Sequence, residues 1–321
     1  MNTEKLAAGV LVAACLVAAA GSWFSGLPKT AEDGKPLKGM FNDAGTVARL
    51  DISGMILDEG GGGFGGGGTT SGQALLKQIA KIRADGCKAV LLKLNTPGGT
   101  ASGAQEVYDE LVRLKTDKHV KIVASMGDLA ASGGYYIAAA ADEIIANPST
   151  ITGSIGVIMH TQNWQGLMGK IGIENGAIKS APMKDIGSPD RPMTPEEHKV
   201  LQDMINDTYD QFLDAVSTGR KIPKAQLKAL ADGRVFTGRQ AQKVHLVDKL
   251  GNIKFAEREV RTLAGLPEDA KIKDYGEEDW KSMVGELFSR SNVHPLSAIM
   301  GTQQAIIQSG ALNKVPLMLY E

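Results

Sequence analysis

The run from Met126 to Glu143, Met-Gly-Asp-Leu-Ala-Ala-Ser-Gly-Gly-Tyr-Tyr-Ile-Ala-Ala-Ala-Ala-Asp-Glu, constrains this chain more than any other. It follows an apolar, strand-like run from His119 to Ser125. One serine, Ser132, then precedes two glycines and a helix of small residues. A serine at a strand-to-helix junction exposes its hydroxyl beside the unpaired N–H groups of the first helical turn. Such groups favour developing negative charge, as an acyl-transfer nucleophile requires. A Gly/Ala-rich turn that lets a helix pack closely on a sheet accounts for the same stretch without chemistry.

The flanking pattern predicts parallel α/β units. Val47 to Ile56 reads as a first strand, and Gln73 to Ala84 as a helix with Leu75, Leu76, Ile79 and Ile82 on its face. Ala89 to Leu94 is a buried-type strand that ends in Asn95-Thr-Pro-Gly-Gly99. Ser102 to Lys115 is a second helix. Strand and helix alternate in this way up to Ser125, the order of a parallel sheet. Beyond the small-residue helix, Glu143–Ala146 and Ile155–Met159 read as short strands. Thr194-Pro-Glu-Glu197 is a capped helix start with Pro in first position. Thr237-Gly-Arg-Gln240 starts a shorter helix. Helices are also expected at Glu277–Arg290 and Ala298–Gln308.

At the N-terminus, Leu6 to Phe24 carries no charge and is long enough to span a bilayer. An uncleaved anchor fits best. Ala18-Ala-Ala20 leaves open a cleaved signal peptide. Val12-Ala-Ala-Cys15 resembles a lipoprotein box, although the apolar run continues past it. Ser25 to Ala44 has no period and reads as a juxtamembrane linker. Gly60 to Gly68 matches G-x-G-x-x-G by composition alone, and no Lys-Ser/Thr follows to hold a phosphate. It reads as a mobile loop. With 35 basic and 36 acidic residues, nothing argues for nucleic acid. Two cysteines, Cys15 and Cys87, are too few for a disulfide framework.

A serine nucleophile needs a base. The five histidines (His119, His160, His198, His245 and His294) stand in no motif with acidic partners. A neutral lysine can serve instead. A free lysine loses its proton near pH 10.4, about 4 kcal/mol away from a base useful near neutrality, and burial without a carboxylate partner can close that gap. Ile178-Lys-Ser-Ala-Pro-Met-Lys-Asp-Ile-Gly-Ser-Pro189 is a Pro/Gly-punctuated loop with two lysines, Lys179 and Lys184. Gly133, next to Ser132, supplies one oxyanion N–H by position.

In this order, Asn95-Thr-Pro-Gly-Gly99, Ser132-Gly-Gly and the two-lysine loop resemble the signal peptide peptidase A family. The resemblance runs from about Val47 to about Gly265. It implies a Clp protease/crotonase-like fold of repeated ββα units in the short, single-unit form, behind one N-terminal transmembrane helix. It implies Ser132 as nucleophile, Lys184 as base, Gly99 as second oxyanion donor, and Ser154 in Thr152-Gly-Ser154 as the hydroxyl that orients the lysine. Asp185, adjacent to Lys184, would hold the amine charged if it faced it. In an extended loop successive side chains diverge, which would avoid this.

The expected organisation is an anchor over 1–26, a linker over 27–45, a Ser-Lys peptidase domain over 46–270, and a helical extension over 271–321. The expected activity is membrane-anchored endopeptidase cleavage of signal-peptide remnants and other short apolar peptides, without cofactor or metal. From the resemblance alone come an extracytoplasmic catalytic domain and a homo-oligomeric ring. A crotonase-type acyl-CoA enzyme and a non-catalytic membrane scaffold are the alternatives on the same fold.

Overall fold

The computed structural model describes residues 46–58 and 69–275. Among them no helix is long and apolar enough to cross a membrane. The run Leu6–Phe24, the linker, the Gly60–Gly68 loop and the two helices expected after Glu277 lie outside the described residues.

The structure is a mixed α/β fold built on a largely parallel sheet, which fits the Clp protease/crotonase-like expectation. Its first elements are β1 (Val47–Ser53), β2 (Met55–Leu57), β3 (Thr69–Ser71), α1 (Gly72–Asp85), β4 (Ala89–Thr96), α2 (Ala101–Lys118) and β5 (Lys121–Ala131). Then come α3 (Gly133–Ala138), β6 (Glu143–Ala146), β7 (Ile151–Gly153), α4 (Gln165–Lys170) and a 3-10 turn over Pro182–Asp185. The chain continues through α5 (Pro195–Arg220), α6 (Lys224–Leu227), β8 (Val235–Thr237), α7 (Gly238–Lys243), β9 (Lys249–Leu250), α8 (Ile253–Leu263) and β10 (Ile272–Asp274).

The sheet runs β10-β1-β4-β5-β6-β9, with β7 pairing the far end of β5 and β8 pairing β7 antiparallel. Alternate strand residues feed two layers, because successive side chains leave opposite faces of a sheet. Ala48, Leu50, Ile52, Val90, Leu92 and Leu94 pack in the larger core. Val47, Ala89, Leu91, Val123 and Ile145 meet Ala256 and Val260 of α8 on the other side. Ala89–Leu92 is therefore buried without alternation, as in a parallel sheet covered on both faces.

Three expectations need correction. The first strand is not continuous to Ile56: Gly54 takes a left-handed φ of 73° and breaks it ahead of β2, which pairs β3 in a separate two-stranded sheet. Ile155–Met159 forms no strand. The C-terminal end of β5 is paired by Ile151–Gly153 instead, tied down by Thr152 Oγ1 donating to Ala130 O at 2.7 Å. And β5 does not end at Ser125. It runs six residues further, with a register shift against β4 between the Leu94–Met126 and Thr96–Ala130 pairs. That extension carries the strand directly to Ser132.

Candidate active site

Ser132 stands between the last residue of β5 and the first of α3, with φ 53° and ψ −121°. A left-handed φ is costly for a residue with a Cβ, on the order of 1–3 kcal/mol. The surroundings enforce it. Ser132 N–H donates to Gly153 O and its carbonyl accepts from Tyr136 N–H, both at 2.9 Å. Behind it α3 is wholly buried. Tyr135 Oη donates to Leu246 O at 2.8 Å, and Tyr136 stacks on Phe212 at 4.7 Å. Ser132 Oγ has no hydrogen-bond partner among the described residues, and the side chain lines two cavities.

The Asn95–Gly99 turn is held against this junction from several sides. Asn95 Oδ1 accepts from Leu129 N–H at 3.2 Å, and Thr96 Oγ1 accepts from Gly98 N–H at 3.0 Å. Ile56 N–H donates to Gly98 O at 2.8 Å, and Ile56 O accepts from Thr100 N–H at 2.9 Å. Those two bonds use the groups on either side of Gly99, which turns the Gly99 N–H away from β2. It faces the Ser132 side, 3.2 Å from where a Cβ on Gly133 would sit. Neither the Gly99 nor the Gly133 N–H donates to any group among the described residues. Two amides without acceptors beside a serine hydroxyl are an arrangement able to receive an oxyanion.

One cavity, about 250 Å³, is lined by Gly99, Ala104, Tyr136, Val157, Ile158 and Phe212 beside Ser132 and Gly133. The other, about 530 Å³, brings Ser154, Ile205, Tyr209 and Asp232 around the same serine. The walls are largely apolar. Burial pushes the Tyr136 phenol up to about 12, and it raises Tyr209 as well, so both stay neutral. Arg234 holds Asp232 charged, with its carboxyl lowered to about 2. Ser154, also at a left-handed φ of 49°, is fixed by its N–H donating to Arg234 O at 2.9 Å. The structure thus gathers Ser132, Gly133, Gly99 and Ser154.

Lys184 lies elsewhere. It is exposed in the 3-10 turn, lines neither cavity, and forms no side-chain hydrogen bond or ion pair among the described residues. It belongs to an arm, residues 158–194, that leaves the sheet after β7 and returns through α5. Ile158, Trp164, Leu167, Ile171, Ile178 and Met183 are exposed along it. Among the described residues no histidine replaces the lysine: His119, His160, His198 and His245 are all exposed and line neither cavity.

The neighbours of Lys184 were less legible. Asp185 does not diverge from it along an extended loop, since both lie in the 3-10 turn. The Asp185 carboxylate instead accepts Arg191 Nε at 3.0 Å, Arg191 Nη2 at 2.7 Å and Lys179 Nζ at 2.5 Å. Arg191 also donates to both oxygens of Glu197, from Nη1 at 2.8 Å and from Nη2. Glu197 closes the capping box of α5 with Thr194. The capping box was readable in Thr194-Pro-Glu-Glu197; the role of Arg191 had no local signal.

Comparisons with known proteins give the family. Residues 114–267 match the model of peptidase family S49. A Synechocystis protein named as a candidate protease is 41% identical over 241 residues, covering 75% of this chain and 82% of the relative. An Enterococcus faecium protein named as a candidate signal peptide peptidase SppA is 38% identical over 206 residues, 64% of this chain and 60% of its own length. Protease 4 of Haemophilus influenzae is 31% identical over 278 residues; these cover 84% of this chain but 42% of that protein. A strained serine beside two free glycine amides, in a chain so related, places it in peptidase family S49, the signal peptide peptidase A family.

Proposed function

We propose that this chain is a membrane-anchored serine endopeptidase in which Ser132 attacks and Lys184 of a second copy is the base. The observation that carries the reading is Ser132 itself. It is strained, unpaired, and set beside the free N–H groups of Gly99 and Gly133. Ser132 Oγ adds to the peptide carbonyl while a neutral lysine amine takes its proton. The two amides receive the oxyanion. The lysine passes the proton to the leaving amine, and water then cleaves the acyl-enzyme by the same route in reverse. Ser154, in the same cavity, orients the incoming lysine.

The base comes from a neighbour in this reading because, among the described residues, no lysine or histidine lines either cavity at Ser132, and the Lys184 side chain makes no hydrogen bond or ion pair. The exposed apolar arm that carries Lys184 is the surface such a neighbour would cover, and a homo-oligomeric ring would supply every site in turn. The largely apolar walls suit short apolar peptides, signal-peptide remnants among them. The uncharged run Leu6–Phe24 would hold the enzyme at the membrane, with the catalytic domain on the extracytoplasmic side.

Mixing two dead variants tests this reading. Ser132→Ala and Lys184→Ala should each be inactive alone. Co-assembled in equal amounts, they should recover roughly a quarter of the parental rate, the fraction of sites with an intact pair in a randomly mixed symmetric ring. A mixture as dead as its parts rules out the shared site. A serine-reactive fluorophosphonate that fails to label Ser132 in the parental protein favours the acyl-CoA or scaffold readings.

A further inference from the structure

Lys184 sits on one turn of 3-10 helix in an exposed arm, a poor platform for a base that must be placed within a fraction of an ångström. Next to it is a carboxylate, Asp185, that would hold its amine charged on contact. A single arrangement answers both difficulties. The Arg191 guanidinium bridges Asp185 to Glu197, with Nε and Nη2 on the first and both Nη atoms on the second. Lys179 closes the remaining side of Asp185, and its ammonium also donates to Pro182 O at 3.1 Å. Glu197 is buried and accepts from Thr194 N–H at 2.9 Å. The far half of its helix is anchored by buried Phe212, Leu213 and Val216. Ile205 and Tyr209 of the same helix line the cavity at Ser132. Lys184 and Asp185 form no ion pair among the described residues.

We propose that Asp185 and Arg191 are positioning residues for Lys184. Arg191 turns the Asp185 carboxylate away from the lysine amine and ties the Lys184 turn to the N-terminus of α5. The groups facing Asp185 are Lys179 and Arg191. Beyond them are Glu197, and Glu196 on the rim of the same cleft. This inference rests on Lys184 being the base, and one control separates the two.

The experiment follows turnover of a fluorogenic peptide against pH in the full-length, membrane-extracted protein, with assembly size checked for each variant. Removing both cations in Arg191→Met/Lys179→Met frees the Asp185 carboxylate beside Lys184, so the alkaline-going midpoint should rise by about one pH unit, and Arg191→Met alone, which leaves Lys179 on Asp185, should shift it in the same direction by less. The double variant Arg191→Met/Asp185→Asn removes that freed charge and should bring the midpoint back, a reversal that a purely structural role would not produce. Asp185→Asn alone should lower kcat by roughly tenfold with little change in KM. An unmoved midpoint in an active Arg191→Met protein overturns the proposal. If Arg191→Met does not assemble, Asp185→Asn decides: parental kcat and profile overturn it, and a kcat loss in an intact assembly supports it. A Lys184→Ala protein that still turns over sinks the base assignment and this inference together.

Discussion

Gly99 packs against Ile56 with no room for a side chain: a Cβ on Gly99 would stand 1.8 Å from the Ile56 carbonyl oxygen. That oxygen already accepts from Thr100 N–H, so it cannot retreat without breaking the bond that aims the Gly99 amide. Gly99→Ala should therefore displace the turn. Losing one oxyanion donor costs about 10²–10³ in kcat in a serine protease, and a loss of that order is expected here. KM for a short peptide should change far less. A Gly99→Ala enzyme with parental kcat would remove Gly99 from the site.

The two lysines of the arm should behave differently. Lys179 is already spent on Asp185 and on the Pro182 carbonyl, and Arg191 still holds Asp185 when it is gone. Lys179→Ala should keep most of the activity. Lys184→Ala should abolish peptide hydrolysis without changing the thermal midpoint, because the Lys184 side chain makes no hydrogen bond or ion pair among the described residues. The reverse result would exchange their roles.

How much of this was legible beforehand depends on how local each signal was. Ser132 and Gly99 stood out because a lone serine before Gly-Gly and a Thr-Pro-Gly-Gly turn are punctuation in an otherwise apolar sequence. The capping box of Thr194 and Glu197 needs only four consecutive residues, and the structure has it. Ile155–Met159 misled because an apolar run carries no information about which segment finds an open strand edge. Thr152 and Gly153 found it first. The distance from Lys184 to Ser132 is a property of the arm's path, which is not written in a local pattern.

Acid should loosen the arm before the core. Arg191, and then Lys179, hold the Asp185 carboxyl far below its usual range. Arg191 and the Thr194 N–H bring Glu197 down to about 2. Both folded values lie below the unfolded ones, so their contribution is fully present above about pH 4.3 and is lost as pH falls through the folded values. Hydrogen exchange over residues 179–197, taken relative to the intrinsic rate at each pH, should accelerate between about pH 4 and pH 2, ahead of β4 and β5. Equal acceleration in arm and sheet would contradict the clamp.

On the alkaline side the sign reverses, because the base works only when unprotonated. Peptide turnover should climb through one ionisation on the neutral-to-alkaline side. Ser154→Ala should lower the plateau without abolishing it. A profile already flat at pH 7 that falls with a midpoint near the usual histidine value of about 6.5 would point to a histidine base.

The arm itself gives the last prediction. Ile178 and Leu167 are exposed on it, and several exposed apolar side chains on one segment are a surface that a partner can cover. If a second copy covers it and delivers Lys184 to Ser132, a charge there acts on catalysis without touching the catalytic residues. Leu167→Glu with Ile178→Glu should dissociate the assembly, because burying two unpaired carboxylates outweighs the apolar gain. The separated chains should keep their parental far-ultraviolet dichroism, since neither residue belongs to the buried core. Activity should fall with assembly, and Ser132 should lose fluorophosphonate labelling once its base has gone. Raising the protein concentration should restore both together by mass action. Separated chains that still turn over peptide would show that each carries its own base, and the lysine would then have to be sought within one protomer.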